Sequence, residues 1–170
     1  DDRIKLISFT GSPKVGWSIK ASAKKKKVLL ELGGNAPVII DESADLIDAA
    51  KKVAVGTFLY AGQICISTQR VFVVESVFEE FTKRLLEETA KLKVGDPSDE
   101  KTQVGPLIAN IHLQRIESWI QEAVDGGAKV LCGAKVISGE HNLYAPTWLT
   151  NVMTTDKVMC EEVFGPVGVI

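Results

Sequence analysis

Three side-chain settings in this 170-residue chain are chemically out of place. Cys65 follows Gly62-Gln63-Ile64 and precedes Ser67, Thr68 and Gln69, so its thiol is expected on a glycine-permitted turn among polar neighbours. Most free cysteines are small buried hydrophobes, and Cys132, within Lys129-Val130-Leu131-Cys132, suits that role. An accessible thiol on a turn is instead a candidate nucleophile. Glu31 is the one ionisable side chain in Val28-Leu29-Leu30-Glu31-Leu32, with Gly33-Gly34 directly after it. Strands alternate faces, so this segment alone favours Glu31 in solvent with Leu30 and Leu32 inward. The sharper alternative is a carboxylate whose apolar setting raises its proton affinity and suits it to general-base work. The third setting is Glu161-Glu162-Val163-Phe164-Gly165-Pro166, beside Cys160, which taken alone is no more than a charged surface turn.

The elements that would position these groups alternate between strand and helix. Residues 4–9 read as a strand, after which Ser12 can cap a short helix and Pro13 occupy its first turn. The four lysines at 24–27 read as a solvated helix end, favoured by the helix dipole. Residues 28–32 and 37–40 are further strands. Asp45 is expected to cap a helix whose apolar positions Leu46, Ala50, Val53, Phe58 and Ala61 recur at helical spacing. Residues 71–74 form the next strand, and Phe78, Phe81, Leu85 and Leu92 mark a helix closed by Gly95-Asp96-Pro97. Leu113, Ile116, Ile120 and Val124 mark another, stopped by Gly126-Gly127. Residues 129–132 are a short strand and 133–142 a loop. The alternation predicts an α/β fold with a largely parallel sheet flanked by helices.

Composition narrows the function classes. Hydrophobic residues make up 45% and charged residues 25%, with 20 Lys+Arg against 22 Asp+Glu. That balance argues against nucleic-acid binding by phosphate neutralisation and against a polybasic membrane surface. No apolar stretch approaches the ~18–20 residues of a membrane span. Three widely spaced cysteines with no CxxC pair, and only two histidines, suggest neither a disulfide framework nor a structural metal site. A reducing compartment is expected, most simply the cytoplasm. The chain opens on Asp1-Asp2 and stops in the apolar run Val167-Gly168-Val169-Ile170, so it is expected to be a piece of a longer protein.

Taken in order, the motifs resemble the aldehyde dehydrogenase superfamily over essentially the whole chain. Leu30-Glu31-Leu32-Gly33-Gly34 matches the family's general-base motif, and Phe58 through Gly62-Gln63-Ile64-Cys65 its nucleophile motif. Residues 161–166 match its nicotinamide-ribose motif, and Phe9-Thr10-Gly11-Ser12 looks like the turn that meets the cofactor pyrophosphate. The spacings from Glu31 to Cys65 and from Cys65 to Glu162 also look like the family's.

The resemblance implies NAD(P)-dependent oxidation of a small-molecule aldehyde, with NAD favoured over NADP. Cys65 would form a thiohemiacetal and then a thioester, and Glu31 would activate the hydrolytic water. Gly11 and Ser12 would lie near the pyrophosphate and the Leu32 carbonyl at the carboxamide; Glu162 would bond the nicotinamide ribose, with Phe164 beside it. Ile64 and Ile66 would line the substrate pocket. The wording around Cys65 looks most like lactaldehyde-type members. Residues 1–34 would end the dinucleotide-binding domain and 35–170 would belong to the catalytic domain, truncated at its C-terminus. The full-length enzyme would be a homo-oligomer.

Other readings stay open. A cysteine hydrolase would need His112 or His141 to activate Cys65. A CoA-acylating relative would release the thioester to CoA, against which Glu31 argues. The isolated chain could also be a folded but inactive scaffold.

Overall fold

A computed structural model describes all 170 residues. The chain divides into two compact units, Asp1–Gly34 and Asn35–Ile170. No helix is long and apolar enough to cross a membrane.

The first unit is a β-α-β motif: strand β1 (Leu6–Gly11), helix α1 (Pro13–Ser22) and strand β2 (Lys27–Leu32). The Ser12 hydroxyl accepts from the Val15 N–H at 3.5 Å, and Pro13 takes a first-turn position where its missing N–H costs nothing. The strands pair in parallel from Leu6 opposite Lys27 to Gly11 opposite Leu32. That register carries β1 two residues beyond the predicted end at Phe9. A Cβ on Gly16 would lie 2.4 Å from a Leu32 methyl, so α1 approaches β2 this closely because residue 16 is glycine. The lysine run is less idle than its solvated reading: the Lys26 ammonium donates to the carbonyls of Asp1 and, at 2.9 Å, of Ile4.

In the second unit a five-stranded sheet has the order β3-β4-β9-β8-β5. Its strands are β3 (Ala36–Ile40), β4 (Thr68–Val73), β5 (Lys129–Cys132), β8 (Thr147–Thr150) and β9 (Val167–Val169). All neighbouring pairs are parallel except the antiparallel edge pair β5/β8. The helices are α2 (Leu46–Phe58), α3 (Glu75–Ala90), α4 (Asn110–Asp125) and the single turn α5 (Lys157–Cys160). Asp45 caps α2 through its carboxylate, which accepts from Ile47 and Asp48 N–H, and Gly126 closes α4.

Side chains alternate across the sheet and build a core on each face. Trp148 joins Ile40, Ala50, Val53, Phe58, Val71, Phe81 and Leu85 under α2 and α3. Its neighbour Leu149 joins Ile116, Ile120, Val163, Val167 and Val169 under α4. Trp148 is fully buried, stacks edge-on against Phe58 at 5.4 Å, and donates its indole N–H to the Thr89 hydroxyl at 2.9 Å. A Cβ at Gly168 on the next strand would lie 2.2 Å from the indole ring, which therefore fills the space that glycine leaves.

Three predicted boundaries are corrected. Helix α2 ends at Phe58 rather than continuing to Ala61, because Tyr60 and Ala61 turn left-handed. Leu92 lies past the end of α3 yet still packs on the same core. Residues 133–142 are not all loop: β6 (Val136–Ser138) pairs antiparallel with β7 (Leu143–Tyr144).

Candidate active site

Within the first unit, the parallel register places Thr10 opposite Glu31 and Gly11 opposite Leu32, at the carboxyl ends of both strands. Ligands of open α/β sheets bind outside those ends. Glu31 lies on the exposed side of β2 with Lys27 and Leu29, while Leu30 and Leu32 are half-buried. Directly after Gly11, Ser12 caps α1, which begins at Pro13 and has no acidic residue in its first turn. The positive end of the helix dipole at this start favours anions.

In the second unit the chain leaves α2 through a strained connection. Tyr60 (φ 51°) and Ala61 (φ 55°) are both left-handed, and Gly62 follows at φ 69°. Each non-glycine residue in this region costs about 1–2 kcal/mol, and such strain clusters at functional sites. A Cβ on Gly62 would lie 2.1 Å from the Gly165 carbonyl oxygen, so glycine there allows the chain leading to Cys65 to touch the segment 161–166. Residues 64–67 then form a turn closed by the Ser67 N–H to the Ile64 carbonyl at 3.1 Å. Cys65 and Ile66 occupy its tip, Cys65 exposed and Ile66 78% exposed; Ile64 is half-buried.

This turn is anchored from both sides. The Gln63 amide donates to the carbonyls of Tyr60 and Pro106, both at 3.1 Å, and its oxygen accepts from Ile108 N–H at 2.9 Å. The Ser67 hydroxyl donates to the Thr57 carbonyl at 3.1 Å, holding the turn to the end of α2. Burial raises the pKa of Cys132, suppressing its thiolate, with a weaker opposing hydrogen bond from the Trp148 backbone.

Segment 161–166 is fixed by three side chains from distant elements. Gln69, only 5% exposed, donates its amide to the carbonyls of Val158 (3.1 Å) and Glu161 (2.7 Å) and accepts from Val163 N–H at 2.9 Å. The Asn35 amide donates to the carbonyls of Met159 (2.8 Å) and Glu161 (3.2 Å). Arg115, lying over the Trp119 ring at 4.7 Å, donates to the Val163 carbonyl at 2.6 Å. Burial lowers the Arg115 guanidinium below its ordinary pKa, and the Glu162 carboxylate acts in the opposite direction. Glu162 is half-buried; Phe164 adopts φ 46° and stays 38% exposed.

The structure thus groups Gly11, Ser12, Glu31 and Leu32 in the first unit, and joins the Cys65 motif to Glu162 and Phe164 through Gly62 and Gly165 in the second. Sequence reading noticed Gln63 and Gln69 only as polar neighbours, and missed Asn35 and Arg115 altogether. One signal was available for Gln69: it shares strand parity with the apolar Val71 and Val73, and a polar residue on an apolar face must find partners. Arg115 offered no such signal, because a long cation on an amphipathic helix usually extends to solvent.

Comparison with known proteins fits this geometry. The aldehyde dehydrogenase family pattern matches residues 1–170. A lactaldehyde dehydrogenase of Methanococcus maripaludis is 45% identical over 167 residues, covering 98% of this chain and 35% of the relative. An NAD-dependent aldehyde dehydrogenase of Sinorhizobium meliloti superposes with a TM-score of 0.95 at 37% identity, over 99% of this chain and 34% of that one. A glyceraldehyde-3-phosphate dehydrogenase of Methanocaldococcus jannaschii, complexed with NADP, gives 0.94 at 40% identity, over 100% and 36%. The chain spans about a third of the length of the curated relatives it matches. With its α/β fold and its match to the family pattern over residues 1–170 in agreement, this chain belongs to the aldehyde dehydrogenase family.

Proposed function

We propose that the chain is the catalytic segment of an NAD(P)-dependent enzyme that oxidises an aldehyde to a carboxylate. Its residues suit a dinucleotide: the start of α1 offers the positive end of its dipole with no acidic side chain to repel a pyrophosphate, and Glu162 offers a carboxylate to a ribose diol. Gly11, Ser12 and the Leu32 carbonyl would hold the cofactor in the first unit, and Glu162 and Phe164 in the second. When bound, the nicotinamide supplies the two-electron acceptor.

A bare aldehyde lacks the alkoxide that expels hydride, so the protein must first build a tetrahedral adduct. The Cys65 thiolate forms a carbon–sulfur bond to the carbonyl carbon, and the carbonyl oxygen takes the negative charge. The Cys65 backbone N–H stabilises that oxygen; a side-chain amide from the family's upstream part is the second donor. Oxidation leaves an acyl thioester on Cys65. Glu31 takes a proton from water, the resulting hydroxide attacks the thioester, and the carboxylic acid leaves with the thiolate restored, its proton and the one on Glu31 passing to solvent. A carboxylate in that role favours hydrolysis over transfer to CoA. The names of the relatives favour short 2-hydroxyaldehydes of the lactaldehyde class, with Ile64 and Ile66 flanking the thiol as the apolar part of the pocket. NAD is the favoured cofactor.

The observation that carries the reading is the exposed Cys65 at the tip of an anchored turn, reached through left-handed backbone at Tyr60, Ala61 and Gly62. The test is Cys65→Ala in the full-length enzyme. NADH formation from lactaldehyde should be lost while NAD affinity, measured by calorimetry, stays within about twofold. Retained oxidation would remove Cys65 from the chemistry.

A further inference from the structure

The two peptide groups that flank the Glu162 Cα are both bound by one side chain. The Glu161 carbonyl belongs to the peptide before Glu162 and the Val163 N–H to the peptide after it. Gln69 donates to the first at 2.7 Å and accepts from the second at 2.9 Å. A single buried carboxamide therefore pins both backbone torsions of Glu162, and with them the direction of its Cα–Cβ bond. Asn35 repeats the donation to the Glu161 carbonyl, and Arg115 takes the Val163 carbonyl. Gln69 is also the second residue of β4, which begins at Thr68 immediately after the Cys65 turn. Its own backbone is thus tied by a few residues of chain to the thiol, while its side chain is tied to the carboxylate.

We propose that Gln69 is a positioning residue that sets the Glu162 carboxylate in register with Cys65, so that a bound ribose is held where the nucleophile's adduct requires it. This rests on the assignment of Glu162 to the cofactor ribose. Gln69 does not touch the cofactor and acts only through the backbone on either side of Glu162. Its buried amide has no other use: both its donors and its acceptor are spent on residues 158, 161 and 163. A leucine at this site keeps most of the volume and loses all three bonds. A glutamate keeps the shape but turns an acceptor toward the Val158 and Glu161 carbonyls.

The experiment is a double-mutant cycle in the full-length enzyme with Gln69→Leu, Glu162→Gln and the pair. Dissociation constants for NAD and NADP are measured by calorimetry and read on the tighter of the two. The rate of Cys65 alkylation by iodoacetamide is followed without cofactor. Each single change should weaken cofactor binding about tenfold, the equivalent of one good hydrogen bond. The pair should be no weaker than Glu162→Gln alone, because Gln69 acts through the same carboxylate. Cofactor-free alkylation should change less than about twofold. If Glu162→Gln leaves affinity unchanged, the ribose assignment fails. If Glu162→Gln weakens binding and Gln69→Leu does not, or the two effects multiply, the positioning role fails while the assignment stands. Should Gln69→Leu not fold, Gln69→Glu enters the same cycle with the same expected non-additivity.

Discussion

Gly62 connects the strained exit from α2 to the contact with Gly165, and Gly62→Ala isolates that connection. Two separable costs follow from the geometry. At φ 69° an alanine sits in left-handed backbone, worth about 1–2 kcal/mol. Its Cβ would also lie 2.1 Å from the Gly165 carbonyl oxygen and 2.6 Å from the carbonyl carbon. Those are backbone atoms, and Gly165 cannot retreat freely: its own Cβ position is 2.2 Å from the Ile116 Cδ1 atom. Relieving such overpacking costs about 1–3 kcal/mol. Together the two amount to roughly 2–5 kcal/mol, a large share of a typical folding free energy. Urea unfolding followed by tryptophan fluorescence measures it, with Gly105→Ala as control, since nothing lies within 4 Å of a Cβ there. The control should change stability by no more than about 1 kcal/mol in either direction. A loss below about 1 kcal/mol for Gly62→Ala would refute both the close approach and the need for glycine.

Two further outcomes test the framework. Trp148→Ala should cost about 3–5 kcal/mol in the same assay, because a fully buried indole leaves a cavity between Phe58 and Gly168; a loss under about 1 kcal/mol would contradict its place in the core. Burial, aided by the Glu117 charge, raises the Tyr144 phenol from 10 to about 12, so the folded state keeps a proton that the unfolded chain releases. Stability should therefore fall as pH rises from about 10 toward 12, and Tyr144→Phe should flatten that fall; equal slopes for the two proteins would contradict the burial.

Much of this fold can be read from short-range signals. Ser12-Pro13 and Asp45 start their helices where side-chain oxygens meet free N–H groups, and Gly126 stops α4. The end of α2 was hidden because Ala61, which continues the helical rhythm, does reach the same core, but through left-handed backbone carried by two non-glycine residues, Tyr60 and Ala61. Leu92 misleads in the same way beyond Ala90. Strands β6 and β7 are two or three residues long, too short for alternation to register. Cys65 and Glu31 were visible as residue types out of keeping with their surroundings. The supports of the site were not, because Gln69, Asn35 and Arg115 reach residues 158–163 from elements far away in sequence.

The proposed division of labour between Cys65 and Glu31 is tested most directly by Glu31→Gln in the full-length enzyme, with rapid-quench kinetics and mass spectrometry of the Cys65 peptide. An amide cannot accept the proton of the hydrolytic water, so acylation should survive while deacylation slows. The expected result is a burst of NADH close to one per active site, then turnover slowed by about 10²-fold or more, with the acyl group found on Cys65. A burst and a steady-state rate that fall in the same proportion, with no acyl group on that peptide, would contradict the account.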